Sequence, residues 1–174
     1  MQVTTDATLL NDVNIEAVGA LAGAIQEDSQ KAETVWKAEV NWKGGFASEA
    51  KIREFDPIPS DEPSGLGGTD GAPNPVEQLL AALGNCLAVG YAANATAAGI
   101  ELTDLRIELE GDLNLSTFLG LGPGHAGYDA IRAKVHLESD ADAAAIDELH
   151  RTVTGSSPVG HTLLRPIPVE IDLA

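Results

Sequence analysis

The chain has 174 residues, enough for one domain or two small lobes that bury roughly 70% of the unfolded surface. Its 27 Asp and Glu residues outnumber ten Lys and Arg residues, so the formal net charge is −17. We therefore expect neither nucleic acid nor an anionic membrane as a partner. One cysteine allows no internal disulfide, and no secretory signal is evident, so we expect a cytoplasmic protein. A saline habitat and an ordinary solvated surface explain the acidity equally well.

An N-terminal helical extension is predicted over residues 1–34, ahead of a domain over residues 35–174. Within the extension, residues 9–32 carry apolar side chains at helical spacing, and Asn14 is placed to cap the helix. Such a helix can serve as an arm on a neighbouring or partner subunit, or lie on the surface of its own chain.

The apolar period changes to two after the extension. The alternating runs 35–42 and 46–53 flank Gly44-Gly45, which is a hairpin signal and predicts an antiparallel pair with one face in water. Residues 55–73 are rich in proline and glycine, so we expect a long loop there.

The longest helical pattern follows this loop. Asn74 can cap it, Pro75 suits its first position, and Glu77 can bond back to the cap. Apolar and small residues then cover nearly the whole circumference as far as Ala98, which predicts a buried helix that other elements approach closely. Cys86 lies inside this helix.

Alternation of apolar and polar residues resumes after this helix. A strand is predicted from Leu105 to Leu115, with a bulge or bend at Gly111, and a return strand from Ile131 to Leu137 follows a glycine-rich connection over 116–127. Hairpins around single helices indicate an α+β fold with mainly antiparallel sheets.

Two helices and a strand are predicted to complete the fold. Ser139 or Asp140 can cap a helix that stops at Gly155, and Ser157-Pro158 begins a short helix. Alternation over 167–173 predicts a last strand.

Two short motifs resemble those of the OsmC/Ohr superfamily, the osmotically induced and organic-hydroperoxide-resistance proteins. The run from Asn74 to Cys86 is similar to that family's Asn-Pro-x-Glu-x-Leu…Cys helix, and Ser157-Pro158-Val159 resembles its later Cys-Pro-Val helix start. The likeness covers roughly residues 35–174. It implies an OsmC-like fold, an intertwined homodimer with two interface sites, and reduction of organic hydroperoxides in oxidative stress defence.

The resemblance also implies roles for individual residues. Cys86 matches the cysteine that attacks the peroxide, and Glu77 matches a carboxylate that holds an arginine beside it. No bound cofactor is implied, and an external thiol or dithiol serves as reductant. The family's second cysteine is Ser157 here, which makes this a one-cysteine variant whose sulfenic acid needs an external thiol or over-oxidises.

The arginine has no obvious match in this chain. Arg53 upstream is one candidate, and Arg165 and His161 downstream are others. Cys86 lies nine positions after Glu77, which places the two on opposite helix faces and roughly 13 Å apart along the axis. One site can use both only if an arginine bridges them or Glu77 comes from a second subunit, and we favour a site shared across a dimer.

Each of these residues also has a purely structural interpretation. Cys86 can be a small core residue, Glu77 a capping-box carboxylate and Ser157 an N-cap rather than a donor to the Cys86 sulfur. His161 is either a base or thiolate partner one turn beyond Ser157, or a solvated surface residue. The histidines show no metal-ligand spacing, so we expect no metal site.

Three hypotheses follow for the function. The first is a thiol peroxidase acting through Cys86, for which the apolar walls of the helix favour a hydrophobic hydroperoxide. The second is a non-catalytic protein that binds a small molecule or senses redox state, which the missing second cysteine supports. The third is a purely structural dimer.

Overall fold

The computed structural model describes residues 9–173. Over this range the chain forms two kinds of element in the order α1 (Ile15–Glu27), β1 (Glu39–Gly44), β2 (Ala47–Lys51), β3 (Ile58–Ser60), α2 (Pro75–Ala97), β4 (Asp104–Leu113), α3 (Leu115–Phe118), β5 (Tyr128–Glu138), α4 (Ala143–Ser156) and α5 (Pro158–Leu164). The sheets are antiparallel, with strand orders β1-β2-β3 and β4-β5. The predicted α+β fold is therefore confirmed.

The chain divides into two compact units. One comprises residues 18–81 and the other comprises residues 9–17 with 82–173. The predicted boundary between residues 34 and 35 stays a prediction.

The unit of residues 18–81 contains the predicted hairpin. Glu39 pairs with Lys51 at its open end and Gly44 with Ala47 at its turn. Gly44 and Gly45 have φ angles of 108° and 56°, which glycine adopts without the strain that a Cβ would bring. The antiparallel pairing is confirmed, with a first strand that begins at Glu39 rather than at residue 35. The prediction of one face in water was wrong for β1 in the single chain, since five of its six residues are exposed.

The prediction of a continuous loop over residues 55–73 was wrong. Residues Ile58–Ser60 form β3, which pairs with β2 and sets Pro59 opposite Glu49. Proline has no N–H to donate to a neighbouring strand, so within a sheet it is tolerated at an edge, where one side of the strand needs no partner. The prolines that made this segment look like a loop are compatible with an edge strand.

The N-terminal helix is present but shorter than predicted. The Asn14 side chain accepts a hydrogen bond from Ala17 N at 3.1 Å, as expected for the cap, and the α-helix ends at Glu27. Separate 3-10 turns occupy Leu10–Asp12 and Ser29–Ala32.

Within the unit of residues 9–17 and 82–173, Asn11 joins its two chain segments by hydrogen bonds. Its side-chain amide donates to Thr96 Oγ1 at 3.0 Å and to the Ile100 carbonyl oxygen at 2.9 Å. Its Oδ1 accepts from Leu102 N at 2.8 Å. Asn11 thus binds the C-terminal end of α2 and the residues just after it in its own chain.

Helix α2 buries one stripe rather than its whole circumference. Leu83, Leu87, Tyr91 and Ala95 recur every fourth residue and are at most 8% exposed. Val89, on another face, is 70% exposed, so the expectation of an almost fully buried helix was wrong for the single chain. Among the described residues, α2 is the one helix whose length and composition would suffice to cross a membrane, and core helices of water-soluble proteins meet the same test.

Strands β4 and β5 cover the buried stripe of α2. The inward residues of β4, Leu105, Ile107 and Leu109, pack against the α2 cluster. Gly111 is needed because a Cβ there would lie 2.6 Å from the Tyr128 ring. The register shifts between Asp112 and Leu113, beside the bend predicted at Gly111, and Leu115 begins α3 instead of extending the strand.

Helices α4 and α5 follow the predicted pattern with one change of cap. Asp142 caps α4 by accepting from Ala145 N at 2.8 Å, so neither Ser139 nor Asp140 is the cap. The helix continues through the predicted stop at Gly155 as far as Ser156.

The predicted last strand was wrong for the single chain. Residues 167–173 make no strand pairing, and Ile171 is 90% exposed. Alternation shows that a segment has two different faces, whereas a strand also needs a neighbour to hydrogen-bond.

Candidate functional site

Cys86 faces the start of α5. Its Sγ lies 3.3 Å from Ser157 Oγ, and Ser157 is only 5% exposed whereas Cys86 is half-buried. Ser157 is the N-cap of α5, and its Oγ accepts a hydrogen bond from Gly160 N at 3.1 Å. That bond uses an oxygen lone pair, so the hydroxyl hydrogen remains available to the sulfur.

Close packing of α2 against α4 brings these two residues together. A Cβ added at Gly90 would lie 2.9 Å from Val153 Cγ1, and Val153 is 1% exposed. Only glycine lets the helices approach this closely. The chain then turns from α4 into α5 at Ser157, which positions the hydroxyl beside Cys86.

A largely apolar groove of about 480 Å³ opens beside the sulfur. It is lined by Asn85, Cys86, Val89, Gly90, Ala93, Asn94, Val153, Ser156, Ser157 and Pro158. None of these described residues is Arg, Lys, His, Asp or Glu. The groove can therefore accommodate an apolar organic group next to Cys86, but it supplies no formal charge of its own.

Glu77 takes part in a reciprocal capping box at the start of α2. Its backbone N–H donates to Asn74 Oδ1 at 2.9 Å, and its carboxylate accepts from Asn74 N at 2.9 Å. Asn74 is 8% exposed and also donates through Nδ2 to Glu62 Oε2 at 3.3 Å. Within the described residues, Glu77 therefore acts as the capping-box carboxylate of α2.

Asp61 organises the loop that precedes α2, a role that the sequence pattern did not reveal. Its carboxylate accepts from Thr69 Oγ1 at 2.5 Å, Thr69 N at 2.9 Å and Gly71 N at 3.2 Å. The Thr69 hydroxyl, followed by the N–H groups of Gly71 and Glu62, lowers the pKa of Asp61 to about 2. These partners lie up to ten residues away in an irregular loop, where no periodic signal marks them.

The candidate cations have other neighbours. Arg53 has a left-handed φ of 51°, and its guanidinium lies 4.5 Å from the centre of the Phe55 ring. His161 Nε2 lies 2.9 Å from the Gly155 carbonyl oxygen. Arg165 is exposed at the end of α5. Ser157 is thus the proposed supporting residue that the structure places in contact with Cys86.

A polar pair with one buried member, Tyr91, and one exposed member, His150, was missed by sequence reasoning. The Tyr91 hydroxyl on α2 hydrogen-bonds His150 Nδ1 on α4, and the two rings stack with centroids 6.1 Å apart. Burial raises the pKa of Tyr91, which is 1% exposed. The two residues are 59 positions apart, so no local pattern could have linked them.

No metal site is evident within residues 9–173. No three His, Cys, Asp or Glu side chains come together there in an arrangement that could hold a metal ion. The polar groups that line the groove within the described residues are the Cys86–Ser157 pair, the Ser156 hydroxyl and the amides of Asn85 and Asn94.

Solved structures similar to this chain share its fold. An OsmC-like protein from Mycoplasma pneumoniae has a TM-score of 0.66 and 20% identity, over 76% of this chain and 89% of that one. An organic hydroperoxide resistance protein OsmC from Legionella pneumophila has a TM-score of 0.56 and 17% identity, over 75% and 91% of the two chains. A Vibrio cholerae protein assigned to organic hydroperoxide resistance, with captopril bound in one of its active sites, has a TM-score of 0.56 and 13% identity, over 75% and 86%.

The sequence itself matches a family model. No curated protein matches the chain. Residues 68–172 match the model of the OsmC family, described as OsmC-like protein, and this range covers both sequence motifs. The chain therefore belongs to the OsmC-like family.

Proposed function

We propose that this protein is a thiol-dependent peroxidase that reduces organic hydroperoxides through Cys86 in oxidative stress defence. The observation that carries the proposal is the Cys86 sulfur 3.3 Å from Ser157 Oγ at the wall of an apolar groove. Structural neighbours named for organic hydroperoxide resistance, and captopril, a thiol compound, bound in an active site of one of them, support it.

The reaction begins at the sulfur. A Cys86 thiolate attacks the terminal peroxide oxygen, the O–O bond breaks, and the alkoxide takes a proton to leave as an alcohol. The sulfur is oxidised to a sulfenic acid. A hydroxyl that donates to the sulfur stabilises the negative charge of the thiolate, and the Ser157 Oγ at 3.3 Å supports Ser157 in that role.

An external thiol is needed to complete the cycle because the chain has one cysteine. A first thiol attacks the sulfenic sulfur, releasing water and forming a mixed disulfide, and a second thiol attacks that disulfide and restores Cys86. The sum is one hydroperoxide and two thiols giving one alcohol, one water and one disulfide. No bound cofactor enters this sequence.

We also propose that a homodimer is the working form. Val89 beside the groove is 70% exposed, and in the other unit Trp36 and Trp42 are 82% and 75% exposed. Large apolar side chains at such exposure are typical of a surface that a partner covers. In this dimer Glu77 and an arginine, with Arg53 as the candidate, belong to the predicted shared site.

The test is consumption of cumene hydroperoxide with several thiols and dithiols as reductants. Wild type is expected to turn over many times, whereas Cys86→Ser is expected to consume none above background. Hydrogen peroxide should be a poorer substrate because the groove is apolar. No turnover by wild type with any reductant would refute the peroxidase.

One observation favours a second candidate, a non-catalytic protein that binds a small molecule or senses redox state. Ser157 stands where the family motif has its second cysteine, so this chain cannot close the intramolecular disulfide. On this hypothesis Cys86 is oxidised once and no thiol restores it at a useful rate. The peroxide assay separates the two, because a sensor consumes at most about one equivalent of hydroperoxide.

A further inference from the structure

The external reductant must reach the sulfur through the groove, and the groove restricts which thiol can do so. We propose that the thiol which reduces oxidised Cys86 is a small neutral or cationic thiol, and that anionic thiols are selected against by charge. This inference rests on the proposed function, because it names the reductant class of the same site.

The first argument is the lining. The side chains beside Cys86 are apolar, as Val89 and Val153 are, or neutral amides, as Asn85 and Asn94 are. An anionic thiol that enters this groove loses part of its hydration and meets no cation to compensate. A neutral thiol of the same size incurs no such penalty.

The second argument is the field around the groove. The chain carries 27 acidic against ten basic side chains, and any second copy that covers the groove brings the same excess. Two basic residues lie within a few positions of the groove lining in the sequence, and both have other partners. Arg151 pairs with Glu148, and His161 hydrogen-bonds the Gly155 carbonyl oxygen. Summed charge of one sign changes the arrival rate of a charged reactant by factors of about 10 to 1,000.

The third argument is that the one-cysteine site must meet the reductant twice. The first thiol forms a disulfide with Cys86 as water leaves, and the second thiolate attacks that disulfide and displaces Cys86 as its thiolate. Both events bring a thiolate, the reactive form, towards an acidic protein. A positive charge elsewhere on the reductant offsets that repulsion at each encounter.

The test measures thiol exchange directly and needs no peroxide. Cys86 in the full chain is first converted with dithiodipyridine to its thiopyridyl disulfide, with Cys86→Ser as the blank. Cysteamine, 2-mercaptoethanol and 3-mercaptopropionate, which are cationic, neutral and anionic, then displace thiopyridone. Each rate is divided by the rate of the same thiol with free dithiodipyridine, which removes differences in intrinsic reactivity.

The expected order of normalised rates is cationic, then neutral, then anionic. At low ionic strength cysteamine should exceed 3-mercaptopropionate by about tenfold or more, and the ratio should fall below about threefold in concentrated salt. Equal normalised rates at low salt, or a ratio that salt does not change, would overturn the inference. Failure of Cys86 to take the thiopyridyl group in the folded protein would overturn it as well.

Two matched variants separate the groove from the overall charge. Asn85→Lys adds one positive charge at an exposed residue of the lining. Glu101→Gln changes the net charge by the same amount at an exposed residue beyond the end of α2, and that end lies about 18 Å along the helix axis from Asn85. Asn85→Lys should lower the cysteamine preference at least threefold, and Glu101→Gln should leave it nearly unchanged.

The outcomes distinguish this inference from the peroxidase proposal. Charge-ordered exchange without peroxide consumption would refute the peroxidase and leave a thiol-exchange site. Peroxide turnover with equal normalised exchange rates would refute the charge selection and leave the peroxidase.

Discussion

The first turn of α2 and its middle carry residues of a single sequence motif, yet their surroundings differ. At the first turn, Asn74 and Glu77 bond each other in both directions at 2.9 Å. In the middle, Cys86 has Ser157 as its polar neighbour, at 3.3 Å, and otherwise borders an uncharged groove. We interpret the first turn as an arrangement whose hydrogen bonds are satisfied and stabilise the helix, and the middle as a half-buried sulfur beside a groove.

The largest expected effect comes from introducing a second thiol opposite the middle of α2, at the N-cap of α5. In Ser157→Cys the new sulfur takes the place of Ser157 Oγ, which lies 3.3 Å from Cys86 Sγ. A shift of roughly 1 Å then suffices for a disulfide. One equivalent of cumene hydroperoxide should convert this variant almost completely to an intramolecular disulfide. Free-thiol titration and non-reducing peptide mapping measure it.

The matched control for that variant is Ser156→Cys. The Ser156 hydroxyl bonds the Thr152 carbonyl oxygen at 2.7 Å rather than the sulfur. After one equivalent of hydroperoxide, the Cys86 sulfenic acid of this control should still react with dimedone. Two free thiols remaining in Ser157→Cys after hydroperoxide is added would show that residues 86 and 157 are not in contact.

A smaller effect is expected in the loop before α2, where stability should depend on pH. The folded-state pKa of Asp61, about 2, lies below its ordinary value of 3.8. Its carboxylate therefore adds stability that is complete above the ordinary pKa and is lost as the pH falls from 3.8 towards 2. Urea unfolding should show Asp61→Asn clearly weaker than wild type at pH 7, with the difference shrinking at pH 2 to 3.

Asp70→Asn in the same loop provides the control for the pH effect. Asp70 has a φ of 58°, which asparagine also tolerates. Its urea midpoint should follow that of wild type across the pH range. If Asp61→Asn behaved in the same way, the hydrogen bonds to Thr69 and Gly71 would not contribute as described.

The smallest effect concerns the charge of Glu77. A glutamine satisfies a capping box as well as a glutamate does, so Glu77→Gln should leave the free energy of unfolding within about 0.5 kcal/mol of wild type. Glu77→Ala removes the reciprocal bond and should cost about 1 kcal/mol. Thermal unfolding measures both.

The same pair of variants tests the predicted catalytic role of Glu77. If only its capping bond matters, Glu77→Gln keeps full peroxide turnover. Unchanged stability with turnover lowered tenfold or more would instead show that the carboxylate charge serves the chemistry, as the family resemblance implies.

Much of the fold could be predicted because its signals are local. The capping box spans four residues, the Gly44-Gly45 hairpin signal spans two, and the Ser157 cap of α5 lies beside its proline. Strand β3 was missed because edge strands tolerate the prolines that usually mark loops. The unpaired segment 167–173 was misassigned because alternation says nothing about whether a partner strand is present.

The site was only partly predictable for a similar reason. Cys86 and Ser157 are 71 residues apart, and the family motifs rather than the periodicity linked them. Asp61 with Thr69, and Tyr91 with His150, depend on tertiary placement that no local pattern encodes. The burial of α2 was overestimated from the sequence. Small residues allow close packing on every face of a helix but do not show which faces a single chain covers.

The central claim is that the Cys86 sulfur is open to an organic hydroperoxide. It is tested most directly by adding one equivalent of cumene hydroperoxide to the reduced protein in the presence of dimedone, followed by intact mass and peptide mapping. The account predicts one dimedone adduct per chain, located on Cys86, with one equivalent of cumyl alcohol released. Unmodified Cys86 with the hydroperoxide left intact would contradict it.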